Sequence, residues 1–160
     1  MRNKSYFVII YPIKKRWYVI ISDKYLVGLD EYKILNSENP VGYTRDIHSC
    51  IICIFHRKED SILMHIEAYD NMIELENFFE VISKSKNLIE NVDIFKGKYT
   101  LPGNLSIIRF VLNKNKIKYK IHDVFTNKSN ETSVGYNYNT NDYYMASMEK
   151  GVPKLIKKQL

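Results

Sequence analysis

Cys50 and His65 are the side chains whose types and spacing best suit nucleophilic chemistry. Cys50 ends the stretch Thr44-Arg45-Asp46-Ile47-His48-Ser49-Cys50 and opens an apolar run, Ile51-Ile52-Cys53-Ile54-Phe55. His65 lies on the following apolar run, beyond a polar turn at residues 57–60. A thiol of ordinary pKa, about 8.5, is mostly protonated at neutral pH, so attack on a carbonyl carbon needs a positioned base. An imidazole on the neighbouring run is such a base, and the pair suits chemistry through a thioester. The same residues have plainer readings. A cysteine within a β-rich run is commonly a small core hydrophobe, and a lone histidine is commonly a hydrogen-bonded structural residue. Asp46, Glu67 and Asp70 add carboxylates nearby in sequence, and loop charges or a helix cap account for them as simply as acid–base work does.

A metal reading also starts here. His48, Cys50, Cys53 and His56 place four ligand types within nine residues. A strand, however, sends alternate side chains to opposite faces, so Cys50 and Cys53 point apart. Ile51-Ile52 between them offers no turn for a zinc knuckle. No metal or organic cofactor is expected.

The elements that must hold these residues follow from periodicity. The run at 49–55 is short, continuous and apolar, as in a strand buried on both faces, and residues 62–67 form its return strand. Upstream, residues 6–13 and 16–22 are β-rich and join through Pro12 and Lys14-Lys15 as a hairpin. Residues 25–35 continue extended, and 36–40 form a loop ending at Asn39-Pro40. Met72, Leu75, Phe79 and Ile82 recur at steps of three and four, which predicts a helix capped by Asp70. A strand follows at 92–95. From Pro102, Leu105, Ile108 and Leu112 line one side of a second helix, although the Ile, Val and Phe content suits a strand as well. Residues 118–124 alternate as a strand, 127–130 turn, and 134–145 form one or two edge strands. The expected architecture is α+β: a β-sandwich or strongly twisted mixed sheet flanked by two main helices.

Length and composition set the bounds. At 160 residues, 45% hydrophobic and 26% charged, the chain is read as a single domain with a substantial core. The formal charge of +6 comes from scattered lysines. The absence of a compact basic patch interleaved with aromatics argues against nucleic acid as the partner. The most basic piece, Lys154-Leu155-Ile156-Lys157-Lys158, falls in residues 146–160, which read as a solvated tail. No run reaches the ~20 apolar residues of a membrane span, and Pro12 with Lys14-Lys15-Arg16 interrupts the only signal-like segment. Two cysteines three apart make no disulfide framework, so a reducing cytoplasm is expected, with export lacking a cleaved signal as the alternative.

The order of landmarks resembles a known family. Val27-Gly28-Leu29-Asp30-Glu31-Tyr32, a loop, the Thr44-x4-Ser49-Cys50 segment, a buried strand and then His65 opening into a helix are similar to the chemotaxis protein CheD family. Asn104 and the segment to Ile117, then Tyr119 through Asp123-Val124, resemble that family's last helix and following strand. The resemblance spans residues 25–145, with 1–24 as an N-terminal extension. It implies the fold shared with deamidating toxins of the cytotoxic necrotizing factor type, and a cysteine-dependent deamidation of protein glutamine. Cys50 is then the nucleophile, His65 the base and Thr44 a third polar member orienting His65, with Ser49 and His48 at the substrate side. The implied partner is a protein bearing a reactive glutamine. The chain departs from the family pattern at His48, where glycine is usual before Ser-Cys, at Ile66-Glu67-Ala68 after the base, at Gly97, which stands alone in place of a glycine pair, and at Phe125-Thr126. These departures fit a divergent effector-like deamidase, and the alternative is a binding or regulatory module that keeps the fold without activity.

Overall fold

The computed structural model describes residues 12–13, 16–17, 23–45, 47–69, 72–123, 132–149 and 152–159. Strands β1 (Pro12–Ile13) and β2 (Arg16–Trp17) pair antiparallel. They are the described part of the expected N-terminal hairpin, and the rest of 6–22 lies outside the described residues. A 3-10 turn (Asp23–Tyr25) and a turn at Asp30, where φ is +54°, interrupt the extended course expected for 25–35. Strand β3 (Tyr32–Leu35) therefore comes late. The loop at 36–40 is closed by the Asn36 side chain, whose Oδ1 accepts from the Glu38 and Asn39 amides at 3.0 Å. Strand β4 (Val41–Thr44) leads to β5 (Ile51–Arg57), β6 (Ser61–Ile66), and a small hairpin of β7 (Ala68–Tyr69) and β8 (Met72–Ile73). Helix α1 (Glu76–Ser85), β9 (Ile89–Lys96), helix α2 (Pro102–Lys114), β10 (Lys118–Asp123), β11 (Thr132–Asn137), β12 (Asp142–Glu149) and β13 (Val152–Gln159) complete the order.

The architecture is α+β, built on two larger sheets. One has five strands in the order β10-β9-β5-β6-β3, with only β10 and β9 parallel. Helix α2 makes the crossover that a parallel pair requires. The other is an antiparallel four-stranded sheet in the order β13-β12-β11-β4. Strand β5 lies at the centre because both its faces are apolar. Ile51, Cys53 and Phe55 pack with Phe78, Val81, Ile82, Ile108 and Leu112 of the helices, while Ile52 and Ile54 pack with Val134, Tyr136, Tyr143 and Met145 of the second sheet. The layers are thus helices, sheet, sheet, with β5 buried between two cores. Among the described residues, no helix is long and apolar enough to cross a membrane.

Two local expectations change, and one segment left open between helix and strand is helical. Helix α1 starts at Glu76, after β8, and Leu75 at its N-cap makes no side-chain cap bond. Its buried stripe is Phe78, Val81, Ile82 and Ser85, whereas Phe79 and Met72 are about half exposed. The three-and-four spacing was present in the sequence, but packing on the sheet selects a phase one residue away. Asp70, the expected cap, lies outside the described residues, as does the expected turn at 127–130. Segment 102–114 is helical, with Pro102 in the first turn where its missing N–H costs nothing. Finally, β11 and β12 are interior strands: β4 and β13 flank them, and the segment read as a solvated basic tail supplies β13.

Candidate active site

The β5–β6 register brings the proposed nucleophile and base to one face. Ile52 pairs with His65 and Ile51 with Ile66. Cys50, one residue before β5, belongs with Ile52 and Leu63 to the core between the two sheets. By the alternation of the pleat, His65 shares the side of Leu63. Cys50 and His65 are therefore placed diagonally across the β5–β6 pair on one face, a relation in which residues lie ~7–8 Å apart. Both are buried, at 5% and 2% exposure. His65 sits inside β6 rather than opening a helix, and its amide donates to the Glu31 carbonyl at 3.0 Å.

The turn after β9 clamps the backbone around Cys50. The Gly97 amide donates to the Cys50 carbonyl at 3.3 Å, and the Tyr99 amide donates to the His48 carbonyl at 2.9 Å. The Thr100 hydroxyl lies 3.1 Å from both the Ser49 and Cys50 carbonyls. A Cβ on residue 97 would stand 2.0 Å from the His48 carbonyl oxygen, so only glycine allows this approach.

Electrostatics around the sulfur oppose ionisation. Burial raises the Cys50 thiol most; a backbone hydrogen bond at Ala68 pulls it down, and Glu67 and Asp30 raise it further. Glu67 is itself raised, by desolvation and then by Asp30, whose Oδ1 accepts from the Glu67 amide at 2.9 Å. The resting state is therefore a protonated thiol beside an acidic rim. A small pocket of about 120 Å³ lies against α1, lined by Asp30, His65, Glu74, Glu76 and Asn77 among others.

The remaining expected residues are distributed as follows. Thr44 is fully buried on β4, paired with Val134, and its hydroxyl donates to the Val134 carbonyl at 3.3 Å. That bond ties β4 to β11. Ser49 is half-buried and His48 exposed, and both enter the clamp through their carbonyls. Asp46 lies outside the described residues. Cys50 and Cys53 belong to opposite cores, and among the described residues no group of three or more His, Cys, Asp or Glu could hold a metal ion.

A polar cluster that sequence reasoning missed bridges the two sheets. Asp93 of β9 accepts from His56 Nε2 of β5 at 2.8 Å and from His122 Nε2 of β10 at 2.5 Å. From the second sheet, the Tyr136 hydroxyl lies 3.4 Å from His56 Nδ1 and the Tyr143 hydroxyl 3.4 Å from His122 Nδ1. Burial opposes ionisation of Asp93, but the bonds from His122 and His56 prevail and hold its carboxyl down at about 2. A cleft of about 560 Å³ opens beside it, lined by His56, Asp93, Tyr136, Tyr138, Asn139 and Asn141 among others. The available signal was one acidic residue at an inward position of an otherwise apolar strand, Val92-Asp93-Ile94-Phe95. Compared with known proteins, the chain matches no family model and no curated protein.

Proposed function

We propose that this protein is a cysteine-dependent protein-glutamine deamidase of CheD-like fold, with Cys50 as nucleophile and His65 as base. The observation that carries the reading is the register: Cys50 and His65 lie diagonally across β5 and β6 on one face, with the Cys50 backbone pinned by Gly97 and Thr100. In the reaction, the Cys50 proton passes to the His65 imidazole as sulfur bonds to the carboxamide carbon of a substrate glutamine. The developing oxyanion needs backbone N–H donors, for which the Cys50 amide is the candidate. The C–N bond then breaks, and ammonia leaves with the proton from His65. Water attacks the thioester, the C–S bond breaks, and glutamate and the free thiol result. A thiol that rests protonated gives up its proton during attack rather than before it, which places the demand for activation on His65.

A second reading, an inactive binding module on the same fold, is favoured by the burial of Cys50 and its two carboxylate neighbours. The two readings separate on ammonia release from a mixture of cellular proteins with wild type, Cys50→Ala and His65→Ala. Release by wild type alone supports the enzyme; equal background from all three supports the module.

A further inference from the structure

We propose that the cleft at the open end of the two sheets is a binding site for an uncharged saccharide.

The cleft forms where the core between the sheets runs out. The cross-strand pairs Ile52–Phe95, Ile54–Asp93 and His56–Asn91 succeed one another on the inter-sheet face of β5 and β9, so the lining turns from apolar to polar along the strands. Beyond them β9 carries a bulge: His56 pairs with Asn91 but Arg57 with Ile89, which leaves Glu90 with no opposite residue. Bulges bend a strand and re-aim its side chains, and here Glu90 and Asn91 both line the cleft. The second sheet supplies the facing wall through the turn between β11 and β12. The Tyr138 amide donates to the Pro40 carbonyl at 2.8 Å, and the Asn139 amide donates to Asn137 Oδ1 at 3.0 Å, so this wall is organised in advance of any ligand. The volume, about 560 Å³, falls within the roughly 300–1,000 Å³ of small-molecule sites.

Charge then restricts the ligand. Arg57 is held by Asp60 through bonds of 2.5 and 2.6 Å and by the Ser85 hydroxyl at 3.0 Å. Lys58 is matched by Glu90 in the same lining, and Asp93 already accepts from two imidazoles. Neither a phosphate nor a cation meets a surplus of opposite charge here.

Neutral amides and an aromatic ring remain to bind. Asn91 and Asn139 are exposed on opposite walls. Asn141 Oδ1 accepts from the Tyr136 hydroxyl at 2.9 Å, which leaves its Nδ2 group to donate. A side-chain amide sets a donor beside an acceptor, and sugar hydroxyls both donate and accept, so one amide can serve two neighbouring hydroxyls. Tyr138 is half-buried: it packs on the inter-sheet core and also lines the cleft, offering ring surface to the apolar C–H face of a sugar. An apolar ligand would strip water from these amides without replacing its hydrogen bonds. A peptide would find no apolar pocket for its side chains, since none of the described residues lining the cleft is aliphatic. Cys50 and His56 mark the two ends of β5, ~20 Å apart at the rise of an extended strand, so this site does not rest on the deamidase reading.

The test is a glycan array carrying neutral and acidic oligosaccharides, probed with the whole protein, each captured glycan then being titrated into ¹⁵N-labelled protein by NMR. The expected result is capture of neutral glycans, with amide shifts concentrated at residues 90–93 and 138–141. Asn91→Ala and Asn139→Ala, both at exposed positions, should each weaken binding about tenfold, as loss of one or two hydrogen bonds requires. Tyr138→Leu, which keeps apolar bulk but removes the ring, should weaken it at least as much. Should that variant fail to fold, the two asparagine variants decide. Capture of acidic glycans alone, shifts gathered around Cys50, or binding that survives both asparagine substitutions would overturn the proposal. So would the absence of any glycan that shifts the cleft amides, whether or not a pool of tryptic peptides shifts them.

Discussion

At Cys50 the surroundings hold the proton on sulfur, with burial foremost and the Glu67 and Asp30 charges reinforcing it. Alkylation of Cys50 in the native protein should therefore keep accelerating above about pH 8.5, the ordinary thiol value. A rate that levels off below neutrality would instead reveal a standing thiolate–imidazolium pair. Cys53 is fully buried, with its thiol pushed well up by desolvation, and should react only on unfolding. Gly97 controls the same segment from the opposite side. Gly97→Ala forces the 97–100 turn away from His48, and an overpacked site of this kind costs ~1–3 kcal/mol, readable by urea denaturation. If the clamp positions the nucleophile, the variant should also change Cys50 alkylation under conditions where it stays folded. The sequence made Cys50 and His65 legible because their strands are strongly patterned. The acidic neighbourhood was only half legible: Glu67 was near in sequence, but Asp30 reaches the site through the pairing of β3 with β6.

Among the elements, β9 couples most of the chemistry, since Asp93 joins it to β5 and β10. A carboxyl lowered from 3.8 to about 2 adds roughly 2 kcal/mol to stability. Because the folded value is the depressed one, this contribution is present above about pH 4 and is lost as pH falls towards 2. Urea midpoints should therefore drop across that interval in wild type. Asp93→Asn should be less stable at pH 6, with a smaller drop; equal midpoints at pH 6 would show that the bridge adds nothing. The strand itself was readable from Val92, Ile94 and Phe95. Its partners were not, because His56 and His122 meet Asp93 only through strand pairing between residues 29 and 37 positions apart. Helix α1 shows the same limit. Its repeat was visible, but Phe78 rather than Phe79 faces inward because the sheet sets the phase.

At the scale of the whole molecule, β5 serves two cores, so damage to either face should unfold both. Ile54→Ala, on the face towards the second sheet, should cost ~2–5 kcal/mol and leave a single cooperative transition. Two separated transitions would mean that the sheets fold independently. The α+β class was legible from composition and alternating runs. A sandwich of two sheets was one of the two architectures expected; the allotment of strands to each sheet was not legible, because β4, β11, β12 and β13 assemble by pairings that local propensity does not encode. The central claim concerns what this scaffold does with Cys50. Peptide mass spectrometry of cellular proteins exposed to wild type or to Cys50→Ser tests it most directly. A deamidase acting through Cys50 leaves a set of glutamines ~1 Da heavier, as conversion to glutamate through a thioester requires, with wild type alone. No altered glutamine, together with a Cys50 that also resists alkylation, would contradict it and leave a binding module on the same architecture.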